Sequence, residues 1–408
     1  MEMVMRLTFI AAIWISFSFI FTHQLTQAQP GIFDITKFGA KQGDEDISQA
    51  LLTAWKEACA VTTPSTIMIP AGTYLLNEVL LTGPCQGPIN IQVHGTLKAP
   101  ADPLAFKSAT WITINKVSHL TISGTGTLDG QGADAWAAND CIKNSKCRRS
   151  AMNLAFNFLN DTVVQDITSL DSKLFHVNVI SCNNFTFQNF TIIAPESSPN
   201  TDGIHMGRSN RVSILDSTIM TGDDCVSVGD GTTQLTVERV TCGPGHGISI
   251  GSLGGSPNEA PVEGVVVRNC TFKNTTNGVR IKTKPESPNP SVVTDVKFEN
   301  IVMNNVANPI LIDQLYCPGK QCTEKAPSLV KISKVSYDNI RGTSSTREAV
   351  TIACSGGAPC EDVTIGDIDL TNVGTGGPAT SPCVNVKPTF TGKQNPPVCS
   401  SDFSAPTA

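Results

Sequence analysis

Four short segments between residues 200 and 282 carry side chains that could do chemistry together. They are Asn200-Thr201-Asp202-Gly203, Gly222-Asp223-Asp224-Cys225, Gly245-His246-Gly247 and Arg280-Ile281-Lys282. Asp202 to Asp223 is a step of 21 residues, Asp223 to His246 one of 23, and His246 to Arg280 one of 34. If each step is one turn of a repeating coil, three carboxylates, an imidazole and two cations meet on one face. Hydrolysis of a glycosidic bond needs such a set: one carboxylic acid protonates the leaving oxygen, and at least one carboxylate activates water or attacks the sugar. Crowding the carboxylates raises one pKa, so that an acid stays protonated beside ionised neighbours. Arg280 and Lys282 flank Ile281, so strand alternation sends both to the same side, where they could hold the carboxylate of an acidic sugar. Each segment has a plainer reading by itself. Asp202 suits an Asx turn, Gly222-Asp223-Asp224 a turn with a Ca²⁺ ligand pair, and Arg280 and Lys282 a solvated edge. His176 and His205 are expected to be structural or to support the cluster from behind.

A repeat supplies the elements that would position these residues. An apolar residue followed by Asn or Asp at a corner recurs around Asp166, Asn189, Asp216, Arg239, Asn269, Asn300, Asn339 and Asp367, in steps of 23, 27, 23, 30, 31, 39 and 28. Periods of this length indicate a solenoid. Within each unit apolar and polar residues alternate, as at Val265, Val267 and Val296, Phe298, which is the period of a strand. The expected fold is all-β: a right-handed parallel β-helix, its coils stacked about 4.8 Å apart, with Asn and Asp at corners because they tolerate unusual backbone angles. Between Asp46 and Ala60, Leu51, Leu52, Trp55 and Cys59 fall at helical spacing, and a short N-terminal helix there would cap the open end of the core. Longer inserts, Asp134 to Arg149 and Gly254 to Pro261, should project from one side and wall a groove. The tail after Cys399 reads as disordered.

Composition narrows the classes of function. The 408 residues carry 29 Lys and Arg against 35 Asp and Glu, a net charge of -6, so neither a nucleic-acid binder nor a polybasic membrane-surface protein is expected. An apolar run from Leu7 to Phe21 behind Arg6, with Thr26 and Ala28 before Gln29, reads as a signal peptide over 1–28, leaving 29–408 as one domain. It is too short and too interrupted for a membrane span. Secretion makes paired thiols the expectation for the 14 cysteines. Short closures are available for Cys141 with Cys147, Cys317 with Cys322, Cys354 with Cys360 and Cys383 with Cys399, and longer ones for Cys225 with Cys242 and Cys59 with Cys85. Cys182 and Cys270 would remain as buried free thiols. No His sits at zinc-ligand spacing from them, so no metal is expected. Asn160, Asn184, Asn189, Asn269 and Asn274 open glycosylation sequons.

The four segments, in this order, resemble the signatures of the polygalacturonases, family 28 of the glycoside hydrolases. The similarity extends from Phe33-Asp34-Ile35-Thr36-Lys37-Phe38-Gly39-Ala40, through Gly124-Thr125-Gly126-Thr127-Leu128-Asp129-Gly130-Gln131-Gly132, to about Cys399. The resemblance implies a parallel β-helix, single-displacement hydrolysis of α-1,4-linked galacturonate with inversion, no metal or organic cofactor, and a secreted monomer acting on wall pectic polysaccharide. It assigns Asp223 as general acid, Asp202 and Asp224 as the residues that position water, and His246 as support for the acid or the substrate. It gives Arg280, Lys282, Tyr316 and Asn200 to the substrate. Asp313 to Cys322 and Thr283-Lys284-Pro285 are similar to the plant pollen-type exo-acting members, where tryptophan is more usual at Lys284, so exo action releasing galacturonic acid is expected. An endo-acting polygalacturonase and a rhamnogalacturonan hydrolase are the readings nearest to this one. A Ca²⁺-dependent pectate lyase and an inactive wall-binding protein lie further off.

Overall fold

The computed structural model describes residues 31–402, apart from 142–143, 145–146, 148–149, 288, 319–321, 323–325 and 400. The expected signal peptide lies outside the described residues. The chain winds as a right-handed parallel β-helix whose described residues form two sheets, one of 12 strands and one of 22, with parallel pairing between successive coils. The 12-stranded sheet contains five consecutive strands that bear on function: β1 (Ile204–Gly207), β2 (Val226–Val228), β3 (Ile248–Leu253), β4 (Asn277–Thr283) and β5 (Asn308–Asp313). Register holds Ile204, Val226, Ile248, Val279 and Ile310 in one inward file, and Met206, Val228, Ile250, Ile281 and Ile312 in the next. All are buried. Each such side chain contributes about 1.5–3 kcal/mol, and no coil can make that contribution without its neighbours. Between the two files run His205, Ser227, Ser249 and Arg280, on the outer face of the same strands.

The corners are where the chain must leave the strand conformation. All eight repeat positions have positive φ, from 48° at Asn189 and Asp367 to 60° at Asp166. L-residues reach that region at a cost of roughly 1–2 kcal/mol, least for Asn and Asp, whose short polar side chains bond locally. Here they also bond to each other along the stack, Asn189 Nδ2 to Asp166 Oδ1 at 2.8 Å and Asn339 Nδ2 to Asn300 Oδ1 at 2.8 Å. A second left-handed file precedes it, at Asp161, Asn184, Arg211, Gln234, Gly264, Asp295, Lys334 and Asp362. It has the same steps.

Helix α1 (Ser48–Cys59) buries Ala50, Leu51, Ala54, Trp55 and Ala58 against the first coils. Trp55 Nε1 donates to the Thr82 carbonyl at 3.2 Å, and the Cys59–Cys85 disulfide anchors the helix end. This is the expected cap. All six disulfides named from the sequence are present, and Cys182 and Cys270 are free and buried. One expectation is corrected. Within the chain after Cys399, Ser401–Asp402 pairs with Pro382 and Cys383 as a parallel strand; the residues past 402 lie outside the described ones. The ladder of the preceding coil offers free backbone groups there, and the Cys383–Cys399 link holds the chain beside them. No described helix is long and apolar enough to cross a membrane.

Candidate active site

The structure brings together every residue that the spacing nominated. Asp202 lies in the turn leading into β1, Asp223 and Asp224 in the turn into β2, His246 before β3, and Arg280 and Lys282 on β4. Tight turns place them. Thr201 Oγ1 accepts from the Gly222 amide at 2.9 Å, His246 N donates to the Asp223 carbonyl at 2.7 Å, and the Cys225–Cys242 disulfide holds the next residue. A side chain at Gly222 would run into the Ser198 carbonyl at 1.9 Å, so the approach of successive turns requires glycine there.

The three carboxylates differ in their partners. Asp224 is fully enclosed. Its Oδ1 accepts from Ser249 Oγ and Arg280 Nη2, both at 2.8 Å, and its Oδ2 from Lys282 Nζ at 2.7 Å. Asp202 is buried, with Oδ2 accepting from Ser227 Oγ at 2.8 Å. Asp223 alone keeps an appreciable part of its side chain, 20%, open to the groove. It binds His246 Nδ1 at 3.0 Å through Oδ1, and Asn200 Nδ2 at 3.2 Å through Oδ2.

Electrostatics separates them further. Burial, and then the charges of Asp223 and Asp224, push the Asp202 carboxyl well above the usual carboxylate range. Burial also pushes Asp223 up, but the His246 hydrogen bond and charge together with Lys282 outweigh it and leave Asp223 below its ordinary value. Burial therefore makes Asp202 the more reluctant of these two to ionise, while His246 and Lys282 favour the ionised form of Asp223.

Arg280 and Lys282 lie on the outer face as alternation requires, yet both are buried. They are not a solvated edge. Their guanidinium and ammonium groups also stand 5.6 Å and 5.1 Å from the Tyr316 ring, a cation–π arrangement that brings Tyr316 into the site. Asp313, adjacent to Lys282 in register, is a further carboxyl, raised by burial despite Arg280 and Lys282. Sequence reasoning left out Asp313, Ser227 and Ser249. A signal existed for the serines, which follow Asp202 and Asp224 by 25 residues each. His176 stands apart from the carboxylates, on Ser169.

Oxygens of Asp223 and Asp224 and a nitrogen of His246 lie within 4.8 Å of one another, as ligands of a cation would. Both Asp224 oxygens already accept from cationic donors, so the donor set does not suit a metal ion. On one side of Asn200 opens a cavity of about 380 Å³, bordered by Leu104, Asn139, Lys173 and Phe175. The insert beginning at Asp134, which includes the short helix α2 (Ala133–Ala137), supplies part of its wall. The Lys284 side chain lies close to Gly255 of the second insert.

A parallel β-helix that carries crowded carboxylates beside a buried Arg and Lys has the groups that hydrolysis of an acidic glycoside needs. Residues 59–396 match the profile of glycosyl hydrolases family 28, and the chain belongs to that family. It is 56% identical to a polygalacturonase of Nicotiana tabacum over 386 residues, covering 95% of this chain and 96% of the relative. It is 54% identical to an exopolygalacturonase of Platanus acerifolia, covering 91% and 98%. Among solved structures, the endo-xylogalacturonan hydrolase of Aspergillus tubingensis superposes with a TM-score of 0.77 at 25% identity, covering 90% of this chain and 100% of the other. The exopolygalacturonase of Thermotoga maritima shares the fold with a TM-score of 0.72 at 18% identity, covering 89% and 92%.

Proposed function

We propose that the protein is a secreted polygalacturonase that hydrolyses α-1,4-galacturonosyl linkages with inversion, acting as a monomer from the chain end to release galacturonic acid. The observation that carries this reading is the Asp224–Arg280–Lys282 cluster under Tyr316, which sets cations beside the catalytic carboxylates where a galacturonate carboxylate can dock. The names of the tobacco and plane-tree relatives support it, the second of them supporting exo action. Residues 1–28 serve as the signal peptide and 29–408 as the single enzymatic domain, which works in the cell wall.

Asp223 is the general acid, because of the three carboxylates it alone opens to the groove. Binding an anionic sugar adds negative charge beside it, which raises its pKa and favours the protonated form that an acid needs. Asp202 and Asp224, then both acceptors, orient the attacking water, and His246 steadies Asp223. Asp224 is a poor nucleophile because both its oxygens are engaged, so attack comes from water, and the first sugar released should have the inverted anomeric configuration by NMR. Asn200, Arg280, Lys282 and Tyr316 hold the substrate.

The test is a chromatographic time course of products from a defined unesterified oligogalacturonide in the presence of a chelator. Galacturonic acid alone from the earliest times supports exo-hydrolysis, and mixed oligomers mean endo action. An unsaturated, Ca²⁺-dependent product would transfer the protein to the lyases, and no product at all would leave a wall-binding role.

A further inference from the structure

The two water-facing carboxylates are supported in the same way, and one of the supports is a histidine outside the catalytic set. Asp224 accepts from Ser249 Oγ at 2.8 Å, and Ser249 Oγ in turn accepts from Arg280 Nε at 3.0 Å. Since arginine can only donate, the single hydrogen of Ser249 is committed to Asp224. Asp202 accepts from Ser227 Oγ at 2.8 Å, and Ser227 Oγ lies 2.8 Å from His205 Nδ1. The four supporting side chains occupy one outward file on β1 to β4. The difference is the terminal nitrogen. Arg280 has no choice of role, whereas Nδ1 of His205 donates only in one of the two neutral tautomers.

We propose that His205 is a positioning residue for the hydrolytic water: carrying its hydrogen on Nδ1, it commits Ser227 as a donor to Asp202 Oδ2 and leaves Asp202 Oδ1 as the acceptor for water. This rests on the hydrolase reading above. The imidazole lies 5.0 Å from the Phe175 ring, tilted by 33° to it, a contact that restricts its rotation. Burial lowers its pKa to about 4; Asp224 and Asp230 pull it up and Lys282 pulls it down, so it works as a neutral ring. His176 is the internal control. Its Nδ1 meets Ser169 Oγ at 2.8 Å, but that hydroxyl is bonded by Asn153 and touches no carboxylate.

Replacing His205 by Leu should lower kcat about ten- to hundredfold on a galacturonide substrate, leave KM within about twofold, and move the acidic limb of the kcat–pH profile upward, because ionised Asp202 loses a donor chain. His205→Asn, whose amide can donate from near the Nδ1 position, should restore most of the rate and return the limb. Ser227→Ala should copy His205→Leu without removing the ring. The tautomer is read independently of activity from the ¹⁵N shifts of His205 in the wild-type protein. Hydrogen on Nε2 would overturn the proposal, as would folded His205→Leu and Ser227→Ala variants with unmoved pH profiles. A wild-type protein that releases no sugar would sink the hydrolase reading but leave the NMR test of the histidine standing.

Discussion

Asp216 with Arg239 and Asp224 with Arg280 are the same kind of pair on the same solenoid, each spanning between coils, and they behave as opposites. Asp216 stands at a corner, where the guanidinium of Arg239 holds its carboxyl down to about 2 while 37% of the Asp216 side chain and 48% of the Arg239 side chain stay in water. Asp224 and Arg280 are 1% and 10% exposed, with Lys282 added. The corner ladder orders a turn that would otherwise be strained, and water screens its charges. The groove ladder holds charge in a dry place, where each member depends on the others. Residue type is shared, although the corner pair is 23 residues apart and the groove pair 56; solvent decides which pair can do chemistry.

Substitutions should separate the two ladders, most of all in rate. Asp223→Asn is expected to lower kcat by about 10³–10⁴-fold with little change in KM, since a proton donor goes while shape is kept; Asp216→Asn should leave steady-state kinetics unchanged. Retained turnover in Asp223→Asn would reassign the acid. Next comes stability. Asp224→Ala strands two buried cations and should cost about 3–5 kcal/mol in urea unfolding, while Asp216→Ala should shift the midpoint far less. Equal shifts would mean that burial does not separate the two ladders. Lys282→Asn should raise KM for unesterified galacturonides several-fold, and an unchanged KM removes it from substrate binding.

A smaller effect concerns pH. The native pKa of Asp202 is raised above its unfolded value of about 3.9, so ionising it costs stability. That loss is complete above the native pKa, and it is recovered as pH falls through that value toward the unfolded one. Asp202→Asn should therefore raise Tm at neutral pH and lose that advantage near pH 4. The corner carboxylate has the opposite sign: its lowered pKa contributes stability above about 3.9 that fades toward 2, and that contribution should weaken in salt.

Much of this was legible beforehand, for identifiable reasons. The corner file showed because left-handed backbone selects Asn and Asp, so Asp166 and Asn189 announce their geometry. The second left-handed file was silent, since Arg211, Gln234 and Lys334 occupy it without any such preference. Asp202, Asp223, Asp224 and His246 were visible because their steps match the coil. Ser227 and His205 were not singled out as partners, because a serine between apolar strand residues has many ordinary explanations. The burial of Arg280 and Lys282 depends on what the overlying segments cover, which no local pattern records.

The unequal coils have a further meaning. Successive corners lie between 23 and 39 residues apart, yet the strands stay in register and the inward files unbroken. Length added between corners is looped out rather than absorbed by the ladder. Diversification can therefore work on the inserts that flank the groove while Asp202, Asp223 and Asp224 stand still, so a lineage can change how it holds a polysaccharide by insertion and deletion without passing through an inactive ancestor.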